Sequence, residues 1–279
     1  MSGDFQQRLK VEFLREELSI PGMPEVALRI VRRLADLSAT GPEVARLAAT
    51  DPTLAGLLLR TANSVDYNPS VDPTADLAVA VRRLGFDTVR RLSLVYALHE
   101  VREAPRYQAV HGRMTALWQR SVGLAAIARA MATQFAGVPR ERANTAGLLH
   151  TVGHIWVTAK AATMPAVLQD PMRFEILLNE WRVPATRRLL QGWGLDPEFI
   201  DAVCDHESVE QRGAEGSPLM DLLFVCQLLN AFKDSPVELT RRLTASSSAA
   251  RLGMRGRERD IVFLRSADEV RAVREALCD

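Results

Sequence analysis

Lysine is nearly missing from this chain of 279 residues. Of its 35 basic residues only Lys10, Lys160 and Lys233 are lysines. With the abundant alanine, this bias points to a GC-rich bacterial genome, a hint about source rather than function. Cysteine is scarce and odd in number: Cys204, Cys226 and Cys278 show no paired spacing. That speaks against a disulfide framework and predicts reduced thiols in a cytoplasmic protein. Charge of either sign is almost balanced at a net +1, so bulk charge predicts no affinity for nucleic acid or membrane. No run of about eighteen apolar residues is present, so no transmembrane helix is expected. The start Ser2-Gly3-Asp4 is polar and opens no apolar run of the signal-peptide kind. Alternating strand patterns, Asn-Gly hairpins, Gly/Ser-rich linkers and internal repeats are also lacking.

What is present is a helical pattern with clear starts. The 47% hydrophobic content supports a substantial core, in one large domain or two modest ones. Thr40-Gly41-Pro42-Glu43 reads as a capping box, and Ser266-Ala267-Asp268-Glu269 as another before a short C-terminal helix. Asp51-Pro52, Asp72-Pro73, Asp196-Pro197 and Ser217-Pro218 each place a capping oxygen before a proline of the first turn. Gly85 and Gly137 suit helix ends. Leu54, Leu57, Leu58 and Thr61 share one face, while Val89, Leu92, Val95, Tyr96 and Leu98 form a broad one that predicts a deeply buried helix. Residues 64–74 and 207–217 read as loops, and Ala104-Pro105 as a join between lobes. A short extended piece is expected at Ile261-Val262-Phe263-Leu264. The prediction is an all-α protein of about a dozen helices.

Four blocks carry more specific information. They are Ile20-Pro21-Gly22-Met23-Pro24; Asp51-Pro52-Thr53-Leu54 leading to Ala62-Asn63-Ser64; Ala80-Val81-Arg82-Arg83-Leu84-Gly85; and Gly147-Leu148-Leu149-His150-Thr151-Val152-Gly153-His154. In this order they resemble the HDOD domain, the bacterial signalling relative of the HD-superfamily phosphohydrolases. The resemblance covers roughly residues 18–232. It implies an HD-like multi-helical fold in which an N-terminal helical lobe (1–104) packs on an HD-like lobe (105–234), followed by a C-terminal helical extension (235–279).

The same resemblance implies where a metal site would lie. HD enzymes present a His-Asp pair; here His150 is followed by Thr151, a neutral hydroxyl and a poor substitute for an anionic ligand of a hard cation. Arg120 stands where an earlier ligand His belongs, Gln227 at the place of a late Asp, and His206 at that of a downstream His. The resemblance thus implies a vestigial site made of Arg120, His150, Thr151, His206 and Gln227, with no metal. Arg120 would repel a divalent cation and could pair with Asp205 or Glu207.

Each group also has a plainer reading. His150 and His154 have the spacing of a zinc-protease helix, but Thr151 occupies the general-base position, so a packed core helix explains them as well. His206 suits a polar helix C-terminus. Arg82, Arg83, Arg90 and Arg91 could contact an anion or a partner, or form a solvated face paired with Asp76 and Asp87. No aromatics interleave with them, which weakens a single-stranded nucleic-acid reading. Asn63 reads as a helix stop tolerant of left-handed backbone.

The resemblance implies a non-catalytic regulatory scaffold, acting on signalling proteins in trans, often alongside cyclic-dinucleotide or two-component signalling. No cofactor is expected. A nucleotide sensor using the vacated pocket through Arg120 and Thr151, and a residual metal-dependent phosphohydrolase, are the alternatives. DNA binding ranks last. The tail, with Arg241, Arg242, Arg251, Arg255 and Arg257, is expected to be flexible and basic around Ser246-Ser247-Ser248.

Overall fold

Aspartate carboxylates cap four of the described helices, at Asp51, Asp76, Asp170 and Asp196. In the computed structural model, which describes residues 2–14, 18–65, 67–68, 72–132, 135, 137–212, 216–232 and 234–254, helices run as α1 (Ser2–Phe13), α2 (Glu25–Arg33), α3 (Gly41–Ala48), α4 (Pro52–Ala62), α5 (Leu77–Glu103), α6 (His111–Met131), α7 (Arg140–Leu149), α8 (Val152–Ala161), α9 (Pro165–Leu168), α10 (Pro171–Gly192), α11 (Pro197–Asp205), α12 (Val209–Arg212), α13 (Pro218–Ala231), α14 (Pro236–Ala245) and α15 (Ser247–Arg251). Tight 3₁₀ turns at Pro105–Val110 and His206–Ser208 complete the order. No strand occurs among the described residues, so the fold is all-α. No described helix is long and apolar enough to cross a membrane.

The motifs prove to be joints. Asp51 Oδ1 accepts from Thr53 N and Leu54 N at 3.0 Å and caps α4, while its Oδ2 accepts from the Tyr96 hydroxyl of α5 at 2.7 Å. One carboxylate therefore starts a helix and pins it to its neighbour. Asp196 and Ser217 cap α11 and α13 as their sequence predicts. The Pro21 carbonyl accepts from the Tyr107 hydroxyl at 2.5 Å, which ties the 20–24 block to the Pro105–Val110 turn.

Two apolar clusters organise these helices. The smaller gathers Ala27, Ile30, Val44, Leu54, Leu58, Val81 and Leu92 from α2 to α5. The larger takes Leu94, Val95, Leu98 and Val101 from α5, and then core residues from the 3₁₀ turn through Met254. Both clusters draw on α5, which forms a shared wall. Gly85, at φ 74° and ψ 161°, breaks α5 into two segments, a backbone state that non-glycine residues avoid. Val89, Leu92, Val95, Tyr96 and Leu98 are buried, as the broad face predicts.

Chain order and packing diverge at both ends. α1 precedes the smaller cluster, yet Leu9 is buried in the larger one, Lys160 pairs with Glu12, and Phe13 meets Trp181 edge-on at 5.5 Å. Leu239, Ala249, Leu252 and Met254 also join the larger cluster, so the chain packs into it up to residue 254.

Several expectations are corrected. Asp72-Pro73 starts no helix; Asp76 caps α5 instead, accepting from Ala78 N at 2.7 Å, and is not an arginine partner. Asn63 is not left-handed, with φ −94° and ψ −3°; its side chain clips Thr74 N and Thr74 O at 2.9 Å across the following loop. The stretch Ser246-Ser247-Ser248 is an ordered helix start, because Glu210 accepts from Ser246 Oγ, Ser247 N, Ser247 Oγ and Ser248 N at 2.8–3.1 Å. The predicted strand at 261–264, the capping box at 266–269, Cys278, Arg255 and Arg257 lie outside the described residues.

Candidate functional site

Glycine sets the depth of the site. A Cβ on Gly147 would stand 2.4 Å from Ala125 Cα of α6, and one on Gly153 would stand 1.9 Å from the Arg182 carbonyl of α10. Only glycine permits those two approaches. The corner between α7 and α8 is thereby wedged between α6 and α10, and the residues at the corner are His150 and Thr151. Thr186 Oγ1 accepts from Gly153 N at 3.1 Å, satisfying a donor of the first turn of α8.

Two imidazoles face each other there. His150 Nδ1 lies 2.7 Å from the Gly147 carbonyl, and His206 Nδ1 lies 2.9 Å from the Val203 carbonyl. A carbonyl only accepts, so each ring carries its proton on Nδ1 and leaves Nε2 as a bare lone pair. Neither Nε2 finds a partner. The rings meet edge to face, 6.0 Å between centroids. Burial holds the His150 imidazole well below its ordinary pKa, and His206 and Arg120 press in the same direction. Burial lowers His206 as well, against the opposing pull of Glu207. His206 does end a helix, but as a buried neutral ring rather than a cation favoured by the helix dipole. The Gln227 amide is close enough to favour the charged form of His206, yet its Oε1 completes no hydrogen bond.

The charged half of the site centres on Glu207. Its carboxylate receives Arg120 Nη2 at 3.2 Å, Arg182 Nη1 at 2.5 Å and Gln227 Nε2 at 3.2 Å. Burial alone would raise the Glu207 pKa; Arg182, His206 and Arg120 outweigh it and keep the group ionised. Of the two partners anticipated for Arg120, Glu207 is the one found, whereas Asp205 pairs with Arg187 at 3.0 Å. Thr151, fully buried, shares a 2.5 Å hydrogen bond with Ser121. Arg120, His150, Thr151, His206 and Gln227 thus occupy one neighbourhood. Arg182 and Ser121 are additions that no local pattern in the sequence announces.

This donor set does not fit a divalent metal. Two bare imidazole nitrogens are suitable ligands. The position beside His150 that would carry an anionic oxygen holds a hydroxyl already bonded to Ser121. A guanidinium stands within reach of both rings, and the one nearby carboxylate is committed to two arginines and an amide. Among the described residues, no group of three or more His, Cys, Asp or Glu side chains is assembled for a metal.

The four arginines around Gly85 do not form a common surface. Arg83 donates to the Ala62 carbonyl at 3.1 Å, Arg90 to the Leu34 carbonyl at 2.6 Å, and Arg91 pairs with Glu141 of α7 at 2.8 Å. Of the two acids expected beside them, Asp87 lies 3.8 Å from Arg90. Arg82 is exposed.

The HDOD domain family profile matches residues 20–209. No curated protein matches the chain. Among solved structures it is similar to a candidate metal-dependent phosphohydrolase from Shewanella amazonensis SB2B, at 21% identity over 98% of this chain and 98% of that one, TM-score 0.69. It is also similar to an HDOD domain protein from Geobacter sulfurreducens, at 18% identity over 99% of this chain and 96% of that one, TM-score 0.65. A candidate signal transduction protein from Marinobacter aquaeolei VT8 matches at 21% identity over the whole of this chain and 66% of that one, TM-score 0.62. Identities at this level show a shared fold.

Proposed function

The chain belongs to the HDOD domain family, and from that premise we propose that it is a bacterial signal-transduction protein that regulates partners through protein contacts and hydrolyses nothing itself. The observation that carries this reading is the Arg120–Glu207–Arg182 cluster beside the bare His150 and His206 nitrogens. A hard divalent cation needs anionic oxygens aimed at it, and a catalytic zinc needs at least three protein ligands; here the nearest carboxylate is neutralised by two guanidiniums, and the facing imidazoles of His150 and His206 offer two bare nitrogens. The Marinobacter aquaeolei structure, described as a candidate signal transduction protein, agrees with the regulatory part. The division into an N-terminal lobe (1–104) and an HD-like lobe (105–234) is part of this proposal; α1, whose Leu9 lies in the larger cluster, is its exception.

Metal content decides it. The purified, untagged chain is exposed to manganese, iron and zinc and analysed by elemental mass spectrometry. Less than about a tenth of an equivalent is expected, since two neutral imidazoles alone hold such ions weakly. Near-stoichiometric metal together with phosphodiester turnover would sink the reading in favour of a hydrolase. The complementary variant, Arg120→His with Thr151→Asp and Gln227→Asp, restores ligand types at three positions. If the surrounding geometry is that of a metal site, it gains metal that the parent chain lacks; a folded triple variant that binds none counts against a vestigial site.

A further inference from the structure

Beside the two buried imidazoles lies an open trough of about 480 Å³ whose walls come from three helices. α6 contributes Arg113, Leu117 and Arg120, one face of the helix over about 10 Å. α10 contributes Phe174, Leu178 and Arg182 on the other side, and His154 of α8 forms the floor. The volume is that of a small-molecule site.

The ends differ in charge. At one end Arg113 lies 3.7 Å from Glu175, a balanced pair, and its guanidinium covers the Phe174 ring at 4.4 Å. At the other end two guanidiniums share the single Glu207 carboxylate, leaving one positive charge in excess. Each guanidinium has five N–H donors, and its contact with Glu207 occupies only part of them. The surplus is felt at the floor: His154 is held down to about 4 by burial and then by Arg120 and Arg182, with Glu207 opposing and His206 adding a smaller push. His154 is buried, and its Nδ1 has no hydrogen-bond partner. Between the ends, Leu117 and Leu178 give an apolar middle.

We propose that this trough binds a small organic anion without transforming it: one phosphate or carboxylate head between Arg120 and Arg182 above His154, and a flat apolar body along Leu117 and Leu178 to the Arg113 guanidinium. The excess charge selects an anion, the N–H donors of Arg120 and Arg182 left over by Glu207 hold its head, and the exposed side of a guanidinium stacks on planar rings. The thermodynamic consequence is that the ligand ties α6 to α8 and α10, so its concentration tunes the stability of the second lobe. The site is independent of how the protein meets its partners.

The test is calorimetric titration and thermal denaturation of the full chain with four probes: a purine nucleoside monophosphate, an aromatic carboxylate, the corresponding uncharged nucleoside, and inorganic phosphate. Saturable binding tighter than about 1 mM is expected for the nucleotide or the carboxylate, and which of them binds identifies the head group. Binding at least tenfold weaker is expected for the nucleoside and for phosphate alone. Ala116→Trp fills the trough from an exposed position and leaves the ion pairs intact, so a folded variant loses the binding. Bound ligand also raises the His154 pKa, read from its ring resonances. Failure of both anions to bind overturns the proposal, as does binding that Ala116→Trp leaves unchanged or that inorganic phosphate matches.

Discussion

Glu207 and Glu210 stand three residues apart and face two different worlds. Glu207 points to the imidazole corner, where His150 Nε2, His206 Nε2, His154 Nδ1 and Gln227 Oε1 are all buried without hydrogen-bond partners. Glu210 points to the C-terminal clasp, where three serines supply it with four donors. In the same clasp Arg251 holds both oxygens of the buried Asp221 at 2.6 and 2.7 Å. Native interiors pair most of their polar groups; the clasp does so around Glu210 and Asp221, whereas the corner leaves four buried polar atoms without partners.

That contrast can be broken experimentally, and the clasp offers the largest effect. Arg251→Ala strands Asp221, whose side chain is only 4% exposed, as an uncompensated buried charge. A loss of about 3–5 kcal/mol in chemical denaturation is expected. A loss below about 1 kcal/mol would show the clasp to be decoration.

Next comes Gly153→Ala. The added methyl meets the Arg182 carbonyl and Thr186 Oγ1 within 2.4 Å, so α8 and α10 must separate, at a cost of about 2–3 kcal/mol. Gly192→Ala, with nothing within 4 Å, is the control and should be neutral or slightly stabilising. Equal effects at the two glycines would refute the close approach.

pH separates the regions without mutation. His150, His154 and His206 all have folded pKa values below the ordinary 6.5. Below 6.5 the unfolded chain binds protons that the fold refuses. The stability they contribute is therefore complete above 6.5 and is lost as pH falls, for His154 until about 4. His154 contributes up to roughly 1.4 kcal/mol per pH unit between 6.5 and about 4, and His150 and His206 act in the same direction. Glu210 acts lower. Burial would raise it, but the serine donors bring it down to about 2, so its contribution is present above 4.5 and fades between 4.5 and about 2. Urea titrations from pH 7 to 5 should therefore weaken the protein through the corner alone, and Glu210→Gln should leave that slope unchanged.

The smallest effects are those of the two glutamates themselves. Glu210→Gln should cost about 1–2 kcal/mol through lost charge-assisted hydrogen bonds. Glu207→Gln should cost about as much or less, since its partners are partly solvated. A larger loss at Glu207 than at Glu210 would reverse the assignment of roles.

Much of this was legible in the sequence because it depends on neighbours along the chain. The Asp51, Asp196 and Ser217 caps, the all-α character and the broad buried face of α5 follow from spacing alone. Charge narrowed the partner of Arg120 to Asp205 or Glu207, and packing decided for Glu207. Arg182 and Ser121 gave no signal, since their roles arise from helices brought together by Gly147 and Gly153. The serine stretch at 246–248 was misread for a similar reason: a polar run looks flexible unless the distant Glu210 is known to meet it.

The sequence by itself determined the all-α class, several helix starts and the family the chain resembles. Those are local properties, set by caps, periodicity and residue identity. Tertiary structure alone decided that Glu207 is shared by two arginines, that burial lowers the pKa of three imidazoles, that α1 and residues 235–254 pack into the larger cluster, and that a trough remains open beside them. Burial and charge balance are sums over residues far apart in the chain, and only the packed helices bring those residues within reach of one another.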